Sequence, residues 1–163
     1  MKPIIVLFDI DYTLFNTKLF KDSELEVYSL YPEVLSVLKT LQKKVTLGII
    51  SSSKTREEEF QVEKLKKCNI YDFFQKEDIH VLKDPDNTDT SKSVLLDKIF
   101  NLYKDKRIII VDDKLSVLKV AHGKNNQVET LWVKRGPYAQ KEEDDTFKPT
   151  FSSLSIEKIL QMI

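Results

Sequence analysis

The chain has 163 residues, of which 41% are hydrophobic and 32% are charged, a composition typical of a folded globular domain. Its 26 basic and 26 acidic residues balance, so the net charge indicates no attraction to nucleic acid or to an acidic membrane surface. The single cysteine, Cys68, excludes an internal disulfide, and no stretch approaches the roughly 20 apolar residues of a membrane span. These features predict a cytoplasmic protein with one domain over residues 1–163.

Short apolar runs rich in branched side chains alternate with amphipathic or charged segments. Runs of this kind are typical of strands that are buried on both faces of a sheet. Alternation with helices predicts parallel βαβ units, hence an α/β fold of three layers with helices on both faces of the sheet. The predicted strands cover residues 4–8, 45–50, 79–82, 107–111 and 128–133. The predicted helices cover residues 32–44, 55–67, 93–103, 115–121 and 156–162.

Apolar spacing also predicts which side of each helix faces the sheet. Gly123 is expected to end the fourth helix, because glycine readily adopts the backbone conformation that follows a helix. The predicted inward residues are Val34, Leu35, Val37, Leu38 and Leu41 in the first helix, Phe60, Val62 and Leu65 in the second, and Val94, Leu95, Ile99 and Leu102 in the third.

Two aspartates follow the first predicted strand. In an extended segment, residues i and i+2 point the same way, so Asp9 and Asp11 can share one pocket. Ligands bind at the carboxyl ends of the strands in parallel sheets. Because neighbouring carboxylates repel, the pair predicts a bound cation such as Mg²⁺, held with help from a substrate phosphate.

The segment Asp9-Ile10-Asp11-Tyr12-Thr13-Leu14 resembles the D-x-D-x-[TV] signature of the haloacid dehalogenase (HAD) superfamily, whose members are mostly phosphatases. Three further sites resemble the other HAD motifs in the right order. Ser51 follows the second strand, a lysine precedes the fourth strand, and Asp112-Asp113 follows the fourth strand. The resemblance therefore covers nearly the whole chain. It implies the strand order 5-4-1-2-3 and a hairpin flap within residues 15–30.

The resemblance also implies a role for each site residue in a Mg²⁺-dependent phosphomonoesterase. Asp9 would be the nucleophile that forms an aspartyl-phosphate, and Asp11 the general acid and base. Lys92 is the preferred motif-three lysine, and Lys83, in Lys83-Asp84-Pro85, is the alternative. The implied metal ligands are Asp9, Asp112, Asp113 and the backbone carbonyl of Asp11. The implied phosphate-binding residues are Thr13, Ser51, Ser52 and Lys92.

Many HAD enzymes carry a cap domain inserted after the first or second motif. Residues 14–32 are too few for a helical cap, and residues 53–83 are taken up by one helix and one strand, so we expect no large cap domain. An open site suits a bulky substrate such as a phosphoprotein or a nucleic-acid end, or a neighbouring subunit that acts as a lid. The sequence leaves these open, together with a small phosphorylated molecule.

Two other functional interpretations remain from the sequence. One is a receiver-like signalling domain phosphorylated on aspartate, but the third predicted strand ends in Leu82-Lys83 without the aspartate that a receiver carries there. The other is a catalytically silent HAD scaffold. The four intact aspartates at the strand ends argue against it, since a protein that binds no metal has little use for them.

Overall fold

The computed structural model describes residues 2–19, 26–53, 58–83, 89–139 and 146–163. The strands are β1 Ile4–Phe8, β2 Phe15–Leu19, β3 Glu26–Leu30, β4 Thr46–Ser53, β5 Ile79–Lys83, β6 Arg107–Asp112, β7 Glu129–Val133 and β8 Phe151–Ser153. The α-helices are α1 Val34–Leu41, α2 Glu58–Lys67, α3 Asp89–Leu102, α4 Leu115–Lys124 and α5 Gly136–Ala139. Short 3₁₀ helices cover Tyr71–Phe73, Lys76–Asp78 and Ile156–Gln161.

Six strands form one parallel sheet in the order β5-β4-β1-β6-β7-β8. The first five of these are the predicted strands, and their order is the predicted 5-4-1-2-3 read from the opposite edge. The α/β fold class is therefore confirmed. The sixth strand, β8, was not predicted, because three residues are too few to show a period of two.

Alternate side chains of the central strand β1 point to two separate hydrophobic cores. Val6 and Phe8 lie in the core covered by α1 and the C-terminal 3₁₀ helix, while Ile5 and Leu7 lie in the core covered by α3 and α4. This is the alternation expected of a strand buried on both faces. Helices on both faces of the sheet, as predicted, follow from it.

The inward faces of the helices differ in part from the prediction. Leu35, Val94 and Leu102 are exposed, whereas Leu96 is fully buried. Buried Leu95 and Leu96 lie three and four residues after buried Lys92, and Ile99 lies four and three residues after them, which leaves Val94 on the opposite side of α3. Helix α4 continues through Gly123 to Lys124, so the prediction that Gly123 ends it is wrong.

The strands β2 and β3 form an antiparallel hairpin directly after the first motif, with Phe15 opposite Leu30 and Thr17 opposite Tyr28. This is the hairpin that the resemblance implies within residues 15–30. The ring edge of Tyr28 packs against Phe15, with ring centroids 5.7 Å apart. The hairpin therefore lies beside the residues that follow β1. None of the helices in the described ranges is long and apolar enough to span a bilayer.

Candidate active site

The candidate site lies at the carboxyl ends of the three adjacent strands β4, β1 and β6. The backbone amide of Asp9 still pairs with the carbonyl of Val111 at 2.9 Å, so Asp9 is held at the edge of the sheet. The chain then turns sharply, because Tyr12 adopts the left-handed conformation with φ of 62° and its amide donates a hydrogen bond to the carbonyl of Phe15, three residues further along the chain. This turn positions Asp11 between the sheet and the hairpin.

Three buried carboxylates converge at this edge of the sheet. Asp9, Asp112 and Asp113 each contribute an oxygen atom, and these atoms lie within 4.8 Å of one another. Oδ2 of Asp113 is buried and has no hydrogen-bond partner among the described residues. Carboxylate oxygens are the donors that Mg²⁺ prefers, so this set and its unpartnered oxygen fit a magnesium ion. The side chain of Asp11 is not part of the cluster, and the resemblance assigned only its backbone carbonyl to the metal.

The buried ammonium of Lys92 joins two of these carboxylates. Its Nζ lies 2.8 Å from Oδ1 of Asp9 and 2.7 Å from Oδ2 of Asp112. The other oxygen of Asp112, Oδ1, accepts a hydrogen bond from the backbone amide of Lys114. Of the two lysines considered for the third motif, Lys92 therefore contacts the carboxylate cluster. The side chain of Lys83 lies outside the part of the chain that the structure describes.

Burial disfavours the ionised forms of the carboxylates in the cluster. Loss of hydration raises the pKa of Asp9 to about 7 and the pKa of Asp113 to about 9, and repulsion from neighbouring carboxylates adds to both shifts. Burial opposes the charge of Lys92, but Asp112 and Asp9 outweigh it and raise the pKa of this lysine. When all three carboxylates are ionised, the single ammonium that bonds to them among the described residues leaves the cluster short of positive charge, as expected of a cation site.

The hydroxyl groups expected to bind phosphate lie near the same strand ends. Ser51 is buried within β4, one strand away from Asp9, and Ser52 is half-buried. Thr13 is fully buried, and its Oγ1 has no hydrogen-bond partner among the described residues. A buried hydroxyl without a partner is costly, so the free Thr13 group is consistent with a ligand oxygen that completes its hydrogen bonding.

Asp11 is held by three donors from two other elements. Its Oδ1 accepts hydrogen bonds from Oγ1 of Thr17 at 2.6 Å and from Nζ of Lys64 at 2.5 Å. Its Oδ2 accepts a longer hydrogen bond from Nε2 of Gln61 at 3.3 Å. Thr17 lies in the hairpin, and Gln61 and Lys64 lie in α2. The carboxylate of Asp11 is therefore oriented by residues that precede and follow the second motif.

Sequence reasoning missed Gln61 and Lys64. The predicted inward residues of α2 were Phe60, Val62 and Leu65, but only Leu65 is fully buried. Gln61 and Lys64 are buried instead, with exposed fractions of 4% and 0%. No local signal distinguishes Lys64 from Lys66 and Lys67 in this charged helix, because its burial depends on the distant Asp11.

Two tyrosine rings pack against each other beside Asp11. Tyr12 packs against Tyr138 of α5 with ring centroids 6.5 Å apart, and Nζ of Lys114 lies 4.3 Å from the centre of the Tyr138 ring. Burial, followed by the charge of Asp11, raises the pKa of Tyr12. Gly136 begins α5 with a φ of 68°, and a Cβ atom there would lie 2.5 Å from Cγ of Tyr12. Glycine is thus required where the two elements meet.

No family model matches the chain, and no curated protein matches it. Solved structures do. A protein of Burkholderia xenovorans LB400 named as a haloacid dehalogenase-like hydrolase is similar over 99% of this chain and 97% of its own, with a TM-score of 0.74 and 16% identity. The magnesium-bound HAD-hydrolase YfnB of Bacillus subtilis is similar over 99% of both chains, with a TM-score of 0.71 and 14% identity.

A third structure is that of 3-deoxy-D-manno-octulosonate 8-phosphate phosphatase from Moraxella catarrhalis, in complex with magnesium, phosphate and KDO. It is similar over 98% of this chain and 84% of its own, with a TM-score of 0.57 and 14% identity. The protein has the HAD-like fold, which confirms at the level of the fold the resemblance that its motifs indicated. At these identities the likeness concerns the fold, and the chemistry must be argued from the site.

Proposed function

We propose that the protein is a Mg²⁺-dependent phosphomonoesterase that works through an aspartyl-phosphate. The observation that carries the proposal is the position of Lys92, whose ammonium bridges Asp9 and Asp112 beside the unpartnered oxygen of Asp113. A carboxylate, an ammonium and a set of metal-binding oxygens at one point are the groups that transfer of a phosphoryl group requires. The proposal is also in keeping with the fold that the chain shares with a 3-deoxy-D-manno-octulosonate 8-phosphate phosphatase.

Asp9 supplies the nucleophile in this proposal. Its carboxylate attacks the phosphorus atom, a bond forms between the carboxylate oxygen and phosphorus, and the bond from phosphorus to the ester oxygen breaks. Lys92 fixes Oδ1 of Asp9 and offsets part of the charge that two buried carboxylates and a phosphate bring together. When Mg²⁺ is bound through Asp9, Asp112, Asp113 and the Asp11 carbonyl, it supplies charge neutralisation and orientation of the phosphoryl group.

Asp11 moves the protons. In the first step its carboxyl group donates a proton to the departing ester oxygen, and in the second its carboxylate accepts a proton from the water that attacks the aspartyl-phosphate. The second step releases inorganic phosphate and regenerates the Asp9 carboxylate. Its half-buried position, outside the carboxylate cluster, suits this role, because the leaving group and the water must both reach it.

The hydroxyl groups of Ser51, Ser52 and Thr13 are proposed to bind the phosphate oxygens together with Lys92. Ser51 and Thr13 are buried, and a ligand oxygen would give the Thr13 hydroxyl the partner it lacks among the described residues. Donors fixed by a sheet need little rearrangement as charge develops on the phosphoryl group. We therefore assign phosphate binding to residues at the ends of β1 and β4.

We also propose that residues 1–163 act as one cytoplasmic domain without a large cap. The segment after the first motif contains the hairpin of β2 and β3, and α2 follows the second motif. A site that no cap domain covers suits a phosphoprotein or a nucleic-acid end, or a second subunit that acts as a lid. A small phosphorylated metabolite is the alternative substrate class.

The test is hydrolysis of 4-nitrophenyl phosphate by the purified protein with Mg²⁺, with Mg²⁺ plus excess chelator, and by an Asp9→Asn variant. We expect turnover only in the first condition, because without Mg²⁺ the buried carboxylates repel the phosphate dianion, and without the Asp9 carboxylate there is no nucleophile. Undiminished turnover in chelator, or in Asp9→Asn, would overturn the proposal. A panel of phosphorylated metabolites, phosphopeptides and 3′-phosphorylated DNA then identifies the substrate class. A silent scaffold would turn over none of them, and a receiver-like domain would retain the phosphoryl group.

A further inference from the structure

We propose that Lys64 is a positioning residue that holds the carboxylate of Asp11 in its working orientation, with Gln61 as a second, weaker contact. This inference rests on the proposed function and adds to it a residue that none of the four motifs contains. Lys64 lies 53 positions after Asp11, in the helix that follows the second motif. It acts through Asp11, whose side chain lies outside the carboxylate cluster that contains Asp9.

Hydrogen bonds to both of its oxygens fix the carboxylate of Asp11. Lys64 and Thr17 both donate to Oδ1, at 2.5 Å and 2.6 Å, and Gln61 donates to Oδ2 at 3.3 Å. Hydrogen bonds to an ionised group are shorter and roughly twice as strong as those between neutral groups. Donors on both oxygens define the rotation of the carboxylate, which a single contact would leave free.

The fold itself does not explain a buried ammonium at position 64. The side chain of Lys64 is completely buried, and its Nζ lies 5.6 Å, 5.0 Å and 5.9 Å from the ring centres of Phe15, Tyr28 and Phe60. An apolar side chain of similar length would fill this aromatic surrounding without the cost of removing a charge from water. The charge is therefore best explained by its short contact with Asp11, the proposed acid and base.

Lys64 also connects Asp11 to the hairpin. Phe15 and Tyr28 lie on β2 and β3, and Thr17, the other donor to Oδ1, lies on β2. The ammonium thus lies where α2, the hairpin and the turn after β1 meet. A shift of the hairpin would move Thr17 and two of the rings around Lys64 together. Lys64 therefore fixes Asp11 relative to the elements beside the site.

A positioning role has a kinetic signature. An alkyl phosphate has a poor leaving group that needs a well-placed proton donor, whereas 4-nitrophenyl phosphate needs little protonation. Misplacement of Asp11 should thus slow the first step with the alkyl ester, and with 4-nitrophenyl phosphate it should slow mainly the attack of water. The aspartyl-phosphate would then accumulate during turnover of the activated ester.

The experiment compares Lys64→Met with Lys67→Met, a matched substitution in the same helix that removes only an exposed ion pair with Glu63 at 3.1 Å. We expect Lys64→Met to lower turnover of an alkyl phosphate about tenfold more than turnover of 4-nitrophenyl phosphate. During 4-nitrophenyl phosphate turnover, a larger fraction of Lys64→Met than of the parent protein should gain about 80 daltons after acid quench, the mass of a phosphoryl group. Lys67→Met should match the parent protein in both measurements. Equal loss with both esters and no added phosphoenzyme would overturn the inference.

A double-mutant cycle separates positioning from folding. If Lys64 acts through Asp11, the ratio of alkyl-ester to 4-nitrophenyl-ester turnover in Asp11→Asn should not change further when Lys64→Met is added. An independent additional drop in that ratio would contradict the inference. Should Lys64→Met fail to fold, Gln61→Leu provides the test, with a smaller shift of the ratio in the same direction and no shift as the contradicting result. If the parent protein hydrolyses neither ester, the proposed function itself fails.

Discussion

The ammonium of Lys92 lies 2.8 Å from Oδ1 of Asp9, although the two residues are 83 positions apart in the chain. Asp9 follows the central strand β1, and Lys92 lies in α3, which packs on one face of the sheet. A lysine buried this deeply must be compensated, and here Asp9 and Asp112 compensate it together. Stability and the proposed chemistry thus depend on the same contact.

Replacing Lys92 with methionine should lower both turnover and stability. The variant leaves Asp9 and Asp112 buried without their ammonium, and breaking such a pair costs about 3–5 kcal/mol. We expect the free energy of unfolding in chelator to fall by about this amount, measured by urea denaturation. Turnover with Mg²⁺ should fall about a hundredfold or more. Lys98→Met, on the exposed side of the same helix, is the matched control.

The two candidate lysines of the third motif are distinguished by comparing Lys92→Ala with Lys83→Ala. Turnover should fall far more in Lys92→Ala, because Lys92 contacts Asp9 directly. Steady-state kinetics with 4-nitrophenyl phosphate measures both. A larger loss in Lys83→Ala would transfer the phosphate-binding role to Lys83.

Asp9→Asn and Asp11→Asn should differ in whether they trap the covalent intermediate. Asp9→Asn loses the attacking charge, so no aspartyl-phosphate can form. Asp11→Asn keeps the nucleophile but loses the group that activates water, so the intermediate should accumulate with an activated ester. Mass spectrometry of the intact protein after rapid acid quench detects a gain of about 80 daltons. Finding that adduct in a turning-over Asp9→Asn protein would reverse the assigned roles.

Asp113→Asn should weaken Mg²⁺ binding, and this can be measured without a substrate. Oδ2 of Asp113 lacks a protein partner among the described residues, and an amide at this position offers the metal one neutral oxygen in place of a charged one. A ligand that binds only the folded state raises its stability, so Mg²⁺ should raise the unfolding temperature of the parent protein. The rise should be much smaller in Asp113→Asn. Asp97→Asn, which alters an exposed pair with Lys124, should retain the full rise.

His80 should make stability depend on pH. Its Nε2 lies 2.8 Å from Oη of Tyr103, and the Tyr103 hydroxyl donates to Oδ1 of Asp78 at 2.7 Å. The Tyr103 oxygen is therefore the acceptor for a proton on Nε2 of the imidazole. Burial, followed by the charge of Lys98, lowers the pKa of His80 below its ordinary value of 6.5. The unfolded chain then binds this proton more readily than the folded protein does.

The lowered pKa of His80 makes the folded protein less stable at low pH. The contribution of His80 to stability is complete above about pH 6.5, the ordinary pKa of histidine, and is lost as the pH drops from there to the lowered pKa of folded His80. The slope contributed by one group cannot exceed about 1.4 kcal/mol per pH unit. The raised pKa values of Asp9 and Asp113 act in the opposite direction over the same range, so the comparison between variants carries the prediction. In urea denaturation from pH 8 to pH 5, the parent protein and His122→Gln should lose stability relative to His80→Gln as the pH falls. An unchanged profile in His80→Gln would exclude His80 as the cause.

Two glycines should respond in opposite directions to alanine. At Gly136 the left-handed backbone and the contact with Tyr12 both disfavour a side chain, so Gly136→Ala should lower stability by about 1–3 kcal/mol. At Gly123, inside α4, a Cβ atom would meet nothing within 4 Å. Gly123→Ala should therefore raise stability by about 0.5–1 kcal/mol. Thermal denaturation of both variants checks the prediction, and stabilisation by Gly136→Ala would contradict it.

Much of the fold could be predicted because its signals are local. The runs that became β1, β4, β5, β6 and β7 are apolar and rich in branched side chains, and a strand buried on both faces needs nothing else to be recognised. Likewise, Asp9 and Asp112 each directly follow or end such a run. Carboxyl ends of parallel strands meet at one edge, so the convergence of the acids could be expected before any contact was known.

The contacts that complete the site were decided by the tertiary structure. Val94 and Leu102 are apolar but exposed, while Lys64 and Gln61 are polar but buried, because burial depends on how a helix is rotated against its neighbours. The ammonium of Lys64 is compensated inside the protein by Asp11, which comes from another element and lies 2.5 Å away. Sequence alone thus determined which groups reach the edge of the sheet. The packing of α2 and the hairpin determined how Asp11 is held there, since a buried charge takes its partner from a distant part of the chain.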